Sequence, residues 1–351
     1  MFKFSKSAKV ILILFGIIAV LLVVTEIFAR TIEPKVIFPT QCFQQDKVLN
    51  HSHTTGKICK FQTRLWDITY KINSLGLRDR EYSIQKPDGV YRILIIGDSF
   101  TEGWGIEQDR TYSDQLEKLL IDRFPVRKIE VINAGVASYS PILEYLYLKE
   151  RGLALEPDLV ILAFDMTDFL DEKEYAKVTT LDENNQPIAV RPFTPGHIQT
   201  YVNNLKNPQI ENKLAAYIAK YSALARFISQ PKAKQLDVSG LFKPNHESWQ
   251  LVQKHLQLIS ELLNDNKINF LLITYPYYDQ LKNDFFLQPQ KDLAQFAKEQ
   301  TIDFVDLTQY FRDQEAESSY IKRDVHLSEK GHLLVADKLA DYLIETVFSK
   351  D

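Results

Sequence analysis

The chain has 351 residues, with 42 Lys+Arg against 46 Asp+Glu and a formal net charge of -4. Its 45% hydrophobic and 25% charged content is ordinary globular usage and excludes wholesale disorder. The mild acidity argues against a surface built to coat nucleic acid, and two cysteines are too few for a disulfide-dense scaffold or a multi-cysteine zinc or iron–sulfur module.

Val10 to Val24 is an unbroken apolar run of 15 residues, interrupted by Thr25 and Glu26 and extended by Ile27, Phe28 and Ala29. A helix over 10–29 rises about 30 Å, enough to cross a hydrocarbon core. Lys3, Lys6 and Lys9 precede it, so the positive-inside rule puts residues 1–9 in the cytoplasm and the rest of the chain outside it. A cleaved signal peptide is the rival reading, but Ile27-Phe28-Ala29 fits a small-residue cleavage site poorly. The expectation is therefore a single-pass anchor carrying an extracytoplasmic, periplasmic or outer-face domain. Residues 31–90 read as a juxtamembrane lead-in broken by Pro, Gly and polar residues, with short candidate strands such as 66–72. An oxidising compartment makes Cys42 and Cys59 a disulfide candidate worth about 3 kcal/mol, against two unrelated buried thiols.

From residue 91 to 348 the pattern predicts one α/β domain. Arg92–Ile96 is a short β-branched run, read as a buried strand. The 112–124 stretch has helical spacing at Leu116, Leu119, Leu120 and Phe124. A strand at 129–132, a helix at 141–151 and a strand at 159–164 follow. Alternation of this kind implies a parallel sheet covered on both faces, a three-layer sandwich. It pauses over 172–245, a polar, proline-broken stretch read as an insertion, with a helix within 212–228. A helix at 247–263, strand at 268–275, helix at 288–299, strand at 302–306 and helix at 329–348 complete it, with Ser328 as N-cap.

Ligands of open parallel sheets sit at the carboxyl ends of the strands. The first strand runs into Gly97-Asp98-Ser99-Phe100, where a hydroxyl is presented on a turn. The second ends in Asn133-Ala134-Gly135, whose glycine N–H is placed to meet developing negative charge. The third ends in Asp165-Met166-Thr167-Asp168. Near the C-terminus, Asp324 and His326 are two apart and share one side of an extended segment, so the carboxylate can hold Nδ1 and leave Nε2 to take a proton. Each piece alone is an ordinary turn or cap.

Together they resemble the SGNH hydrolase superfamily, the GDSL-type lipases and acylhydrolases. The resemblance spans roughly 92–343, and it implies a flavodoxin-like sheet, Ser99 as nucleophile, His326 as base and Asp324 as its orienter. It also implies an oxyanion hole of the Ser99 and Gly135 N–H groups and a third-block side chain. That block departs: the family usually has Gly-x-Asn-Asp, and Thr167 stands at the Asn position, with a shorter donor that rotates. The implied activity is a serine esterase or O-acyltransferase working through an acyl-enzyme on acyl esters, with cell-envelope or exported carbohydrate as a candidate substrate. The competing expectation is an inactive relative that binds glycan or an envelope protein. No cofactor, metal or nucleic-acid partner is expected: His326 and His332 are six apart, wrong for one helical face, and Gly103-x-Gly105 lacks the third glycine of a dinucleotide fingerprint. Tyr275-Pro276-Tyr277-Tyr278 reads as groove lining or core, and 171–174 as a solvated charged face.

Overall fold

The computed structural model describes residues 5–32, 37–63, 65–192, 217–218, 221–228, 247–314, 316–322 and 324–350. The chain divides into two compact units, Met1–Val36 with Pro195–Gln235 and Ile37–Thr194 with Leu236–Asp351.

In the first unit the apolar run forms α1 (Lys6–Ile32), whose side chains are almost all exposed. Its mean hydropathy of 3.0 makes it long and apolar enough to cross a membrane, a test that signal sequences also pass. Glu26, the residue that breaks the run, accepts from Ser222 Oγ at 2.7 Å and from the Ala223 and Leu224 N–H groups, capping the short helix Ala223–Ile228. The helix expected within 212–228 is thus seen at its C-terminal end, and 212–216 lie outside the described residues.

The second unit opens with two antiparallel hairpins. β1 (Phe43–Asp46) pairs with β2 (Asn50–His53), and β3 (Ile58–Gln62) with β4 (Asp67–Lys71). β3 and β4 alternate strictly: Cys59, Phe61, Ile68 and Tyr70 point inward, while Ile58, Lys60, Asp67 and Lys71 stay exposed. The Cys42–Cys59 disulfide ties the hairpins together over a small core of Phe61, Ile68, Tyr70, Ile72 and Trp104. The lead-in is therefore packed against the α/β residues of its own unit.

The central sheet consists of β5 (Val90–Gly97), β6 (Lys128–Asn133), β7 (Leu159–Phe164) and, beyond the small hairpin β8 (Thr179–Leu181) and β9 (Pro187–Val190), β10 (Asn269–Thr274) and β11 (Asp303–Asp306). All pairings in the five-stranded sheet are parallel, in the order β6-β5-β7-β10-β11. In chain order this is 2-1-3-4-5, the flavodoxin-like arrangement. β7 (LVILAF) is buried along its whole length because helices cover both faces. α3 (Tyr112–Arg123) packs against the last helix, Glu329–Thr346, on one side; α4 (Pro141–Tyr147) and α5 (Asp168–Ala176) pack against α6 (Glu247–Asp265) on the other. Between them at the strand ends lies the one-turn helix α2 (Ser99–Glu102). The connection from β5 runs to β6 on one side and that from β7 to β10 on the other, so the topological switch point and its crevice fall between the ends of β5 and β7.

Two local readings change. The second helix stops at Tyr147 and continues as a single π turn, Leu148–Gly152. The 171–174 stretch is not a uniformly solvated face: Glu172 is fully buried between α4, α5 and α6, accepting from Ser140 Oγ at 2.7 Å and Ile142 N at 3.1 Å and pairing with His255. Of the expected insertion, β9 folds onto the lead-in, with Val190 N–H donating to Val48 O at 2.8 Å; 193–216, 219–220 and 229–246 lie outside the described residues.

Candidate active site

The Ser99–Glu102 turn begins where β5 ends. Asp98 is its N-cap, Oδ1 accepting from Phe100 N at 2.8 Å, and Gly103 closes it in the left-handed region at φ 88. A Cβ at Gly103 would also meet Thr111 Cγ2 at 2.5 Å, so glycine is required there on two grounds. Ser99 opens the turn, and its backbone N–H precedes any intrahelical acceptor.

His326 reaches it from a residue 227 positions away: Ser99 Oγ and His326 Nε2 are 2.8 Å apart. On the ring's other side Asp324 Oδ1 accepts from Nδ1 at 2.5 Å and from the His326 backbone N–H at 3.0 Å. The spacing of two does what an extended segment allows, and the double contact fixes the tautomer with Nε2 free to accept. Burial pushes the Asp324 carboxyl up, but the His326 charge and the hydrogen bonds it accepts outweigh that and hold it below its ordinary value. The imidazole lies between the Phe100 ring, 4.7 Å away, and the Trp104 ring, stacked on it at 5.5 Å.

The two other expected anion donors are near but engaged. Gly135 N–H donates to Asn133 Oδ1 at 3.0 Å. Its position is tight: a Cβ would come within 2.4 Å of Glu102 N and 2.7 Å of Thr101 C, both backbone atoms of the serine-bearing turn. Thr167 Oγ1 lies 2.8 Å from Asp165 Oδ1 and 3.3 Å from Asp98 Oδ2, so its hydroxyl faces carboxyls. Tyr277 OH joins them, donating to Asp165 Oδ1 at 3.2 Å. The tyrosine group after β10 therefore belongs partly to the site.

Asp98, Asp165 and Asp168 are all buried, with oxygens within 4.8 Å of one another. Among the described residues they form the group whose atoms converge as metal ligands would. Burial first, then the charge of Asp165, pushes the carboxyls of Asp98 and Asp168 well above the ordinary range.

The lead-in contributes side chains that motif reading passed over. Arg78 is buried and donates to the carbonyls of Glu102 (2.7 Å), Gly103 (2.9 Å) and Ile106, gripping the end of the serine-bearing turn. His53 pairs with Glu102 at 2.5 Å, with both side chains fully buried. Buried charge in an apolar lead-in core was a signal available in the sequence only as lone Arg and His residues.

A parallel sheet in 2-1-3-4-5 order, with serine, histidine and aspartate meeting at its switch point, defines an SGNH-type α/β domain. The chain belongs to the GDSL-like Lipase/Acylhydrolase family, whose model matches residues 95–334. No curated protein matches it in sequence. Among solved structures it is similar to a G-D-S-L family putative lipolytic protein from Desulfitobacterium hafniense DCB-2 (16% identity, 71% of this chain and 98% of that one, TM-score 0.42). It is also similar to the acetylxylan esterase Axe2 from Geobacillus stearothermophilus (15%, 72% and 93%, TM-score 0.43). A two-domain esterase active on acetylated mannans is similar at 14% identity over 73% of this chain, which spans only 49% of that protein (TM-score 0.42).

Proposed function

We propose that the chain is a membrane-anchored, extracytoplasmic serine esterase or O-acyltransferase. The single observation that supports this best is the continuous relay from Ser99 Oγ through His326 to Asp324, at 2.8 Å and 2.5 Å. In this reading His326 Nε2 takes the Ser99 proton as Oγ attacks an ester carbonyl. The tetrahedral oxyanion rests against the Ser99 N–H, with the Gly135 N–H turning from Asn133 to join it. Collapse expels the alcohol, protonated by His326, and leaves an acyl-serine. Water or an acceptor hydroxyl then takes the acyl group, so hydrolysis and transfer share every residue named.

Location rests on α1, the preceding lysines and the Cys42–Cys59 disulfide, which an oxidising compartment sustains. Acyl esters of envelope or exported polysaccharide are the substrate class we propose, on the strength of the tether and the family. The test is p-nitrophenyl acetate turnover by the full-length protein in detergent: Ser99→Ala abolishes it, and equal rates in variant and wild type end the assignment.

The engagement of Gly135 N–H and the Thr167 hydroxyl by protein acceptors favours one second reading, a non-catalytic member that binds glycan or an envelope partner in the crevice. A folded protein whose Ser99 ignores a fluorophosphonate supports that reading instead.

A further inference from the structure

Glu26 interrupts the apolar run of α1 within its last two turns, and a carboxylate in a membrane span is costly unless it is paired. Here every partner is at hand. Arg30 Nε lies 2.8 Å away on the next turn. Ser222 Oγ and the Ala223 and Leu224 N–H groups donate to it from 196 to 198 residues further along the chain. Arg30 Nη2 in turn donates to the Tyr221 carbonyl at 2.7 Å. Ala29, on the same helix face as Glu26, is the buried residue of α1, and the short helix Ala223–Ile228 packs against α1. Residues 221–228 are thus seated on the Glu26–Ala29–Arg30 face.

That seat fixes a depth. Arg30 stands about 6 Å beyond Glu26 along the helix axis, and a guanidinium so near the end of a span reaches for the headgroups. Glu26 and the N–H groups bonded to it then lie about 6 Å inside the headgroup level, within the roughly 5–10 Å that interfacial helices bury. The turn before them is helical, with Ser222 N–H donating to Ile218 O at 3.0 Å. Tyr217 and Tyr221, four apart on one face, set their rings edge-on at 5.3 Å, and both stay exposed together with Ile218. Tyrosine favours the boundary between hydrocarbon and water, where its ring and its hydroxyl are both satisfied. The sequence around this turn is basic: Lys213, Lys220, Arg226, Lys232 and Lys234 fall between 213 and 234, with no Asp or Glu among them. Such a charge suits anionic headgroups.

We propose that residues 217–228 form a second membrane contact, an interfacial element held to the C-terminal end of α1 through Glu26. It sets Tyr217, Ile218 and Tyr221 among the anionic lipid headgroups of the leaflet at that end. The proposal rests on the reading of α1 as an uncleaved anchor, and it is independent of the esterase chemistry. The chain then meets the lipid at two points in its sequence, one before Ser99 and one after it.

The native cysteines are joined in a disulfide, so a substituted cysteine is the sole free thiol. Full-length Ile218→Cys and Val20→Cys, each spin-labelled, are placed in phosphatidylcholine vesicles with about one-third phosphatidylglycerol. Collision of the label with oxygen, which enters lipid, is compared with collision with a water-soluble nickel chelate. Val20→Cys is expected to read deep in the bilayer, about 15 Å along the axis from Arg30. Ile218→Cys is expected to read just inside the headgroups, with an oxygen-to-nickel ratio several-fold above that of a label in water. Glu26→Leu, which keeps α1 apolar and removes the tether, is expected to return the 218 label to the water ratio and leave the 20 label in place. Pure phosphatidylcholine vesicles are expected to lower the 218 ratio at least twofold. A 218 label that reads water while the 20 label reads deep overturns the proposal. A 218 label shielded from both oxygen and nickel also overturns it, since a protein partner or a second copy then covers the face. A 218 ratio unmoved by Glu26→Leu overturns the tether, and one unmoved by lipid charge overturns the anionic preference. A 20 label that reads water, or a membrane protein whose mass lacks residues 1–29, removes the anchor reading itself.

Discussion

Asp324→Asn removes one charge and keeps the shape of the side chain. The carboxylate matters most when His326 has taken the Ser99 proton and become an imidazolium. Two unit charges about 4 Å apart interact by about 4 kcal/mol at an effective dielectric of 20. The two side chains are 12% and 22% exposed, so solvent screening reduces this to about 3 kcal/mol, or about a hundredfold in rate. A second loss adds to the first. The asparagine amide can present an N–H to Nδ1, which moves the ring proton to Nε2, where the imidazole no longer accepts from Ser99. Together they predict a fall in kcat of about a thousandfold with KM little changed, because the contact strengthens only as charge develops. The assay is steady-state hydrolysis of p-nitrophenyl acetate by the full-length protein, with the thermal melt of each variant recorded alongside. A kcat within tenfold of wild type at an unchanged melt would refute the reasoning, since Asp324 would then be a loop brace alone.

Gly135→Ala forces the serine-bearing turn to move, because the new methyl meets backbone atoms of Thr101 and Glu102. We expect about a hundredfold lower kcat and a loss of about 1–3 kcal/mol in denaturant melts. Reduction of Cys42–Cys59, separated by 17 residues, is expected to destabilise the lead-in by about 3 kcal/mol, read as a lower Tm with dithiothreitol than without. His332 is buried, accepts from Tyr112 N at 3.1 Å and is held down to about 3, mainly by burial. Because its folded value lies below the unfolded one, its contribution is complete above about pH 6.5 and is lost as pH falls toward 3. Between about pH 7 and pH 4, wild type should lose about 3 kcal/mol more than His332→Gln in guanidinium melts. Parallel pH dependences would show that the buried imidazole is not the cause.

The sheet was readable because its strands are short β-branched runs between strongly periodic helices, and observed boundaries differ from the expected ones by at most two residues, apart from the early end of α4. The turn after β5 drew attention to Ser99, whereas Asp324 and His326, past β11 in the segment before the last helix, were legible only from their spacing of two. What the sequence did not display were relations across tens of residues that follow no period. Arg78 and His53 look like lead-in polar residues until the hairpins fold them onto the turn after Ser99. Glu172 sits in a run of charges, and only the packing of α4, α5 and α6 reveals that one of the four is interior. Thr167 was read as an anion donor, yet its hydroxyl faces Asp165 and Asp98, whose mutual approach depends on the strands pairing side by side. The N-terminal helix was legible from composition alone, since its apolar run is continuous and long enough to cross a membrane.

The account stands on Ser99 being an activated nucleophile, and mapping a covalent adduct tests that most directly. Full-length protein treated with a fluorophosphonate, digested and sequenced by mass spectrometry should carry one adduct, on the peptide bearing Ser99, and His326→Ala should lose it. A folded protein that takes up no label there, or labels equally well after His326→Ala, contradicts the account.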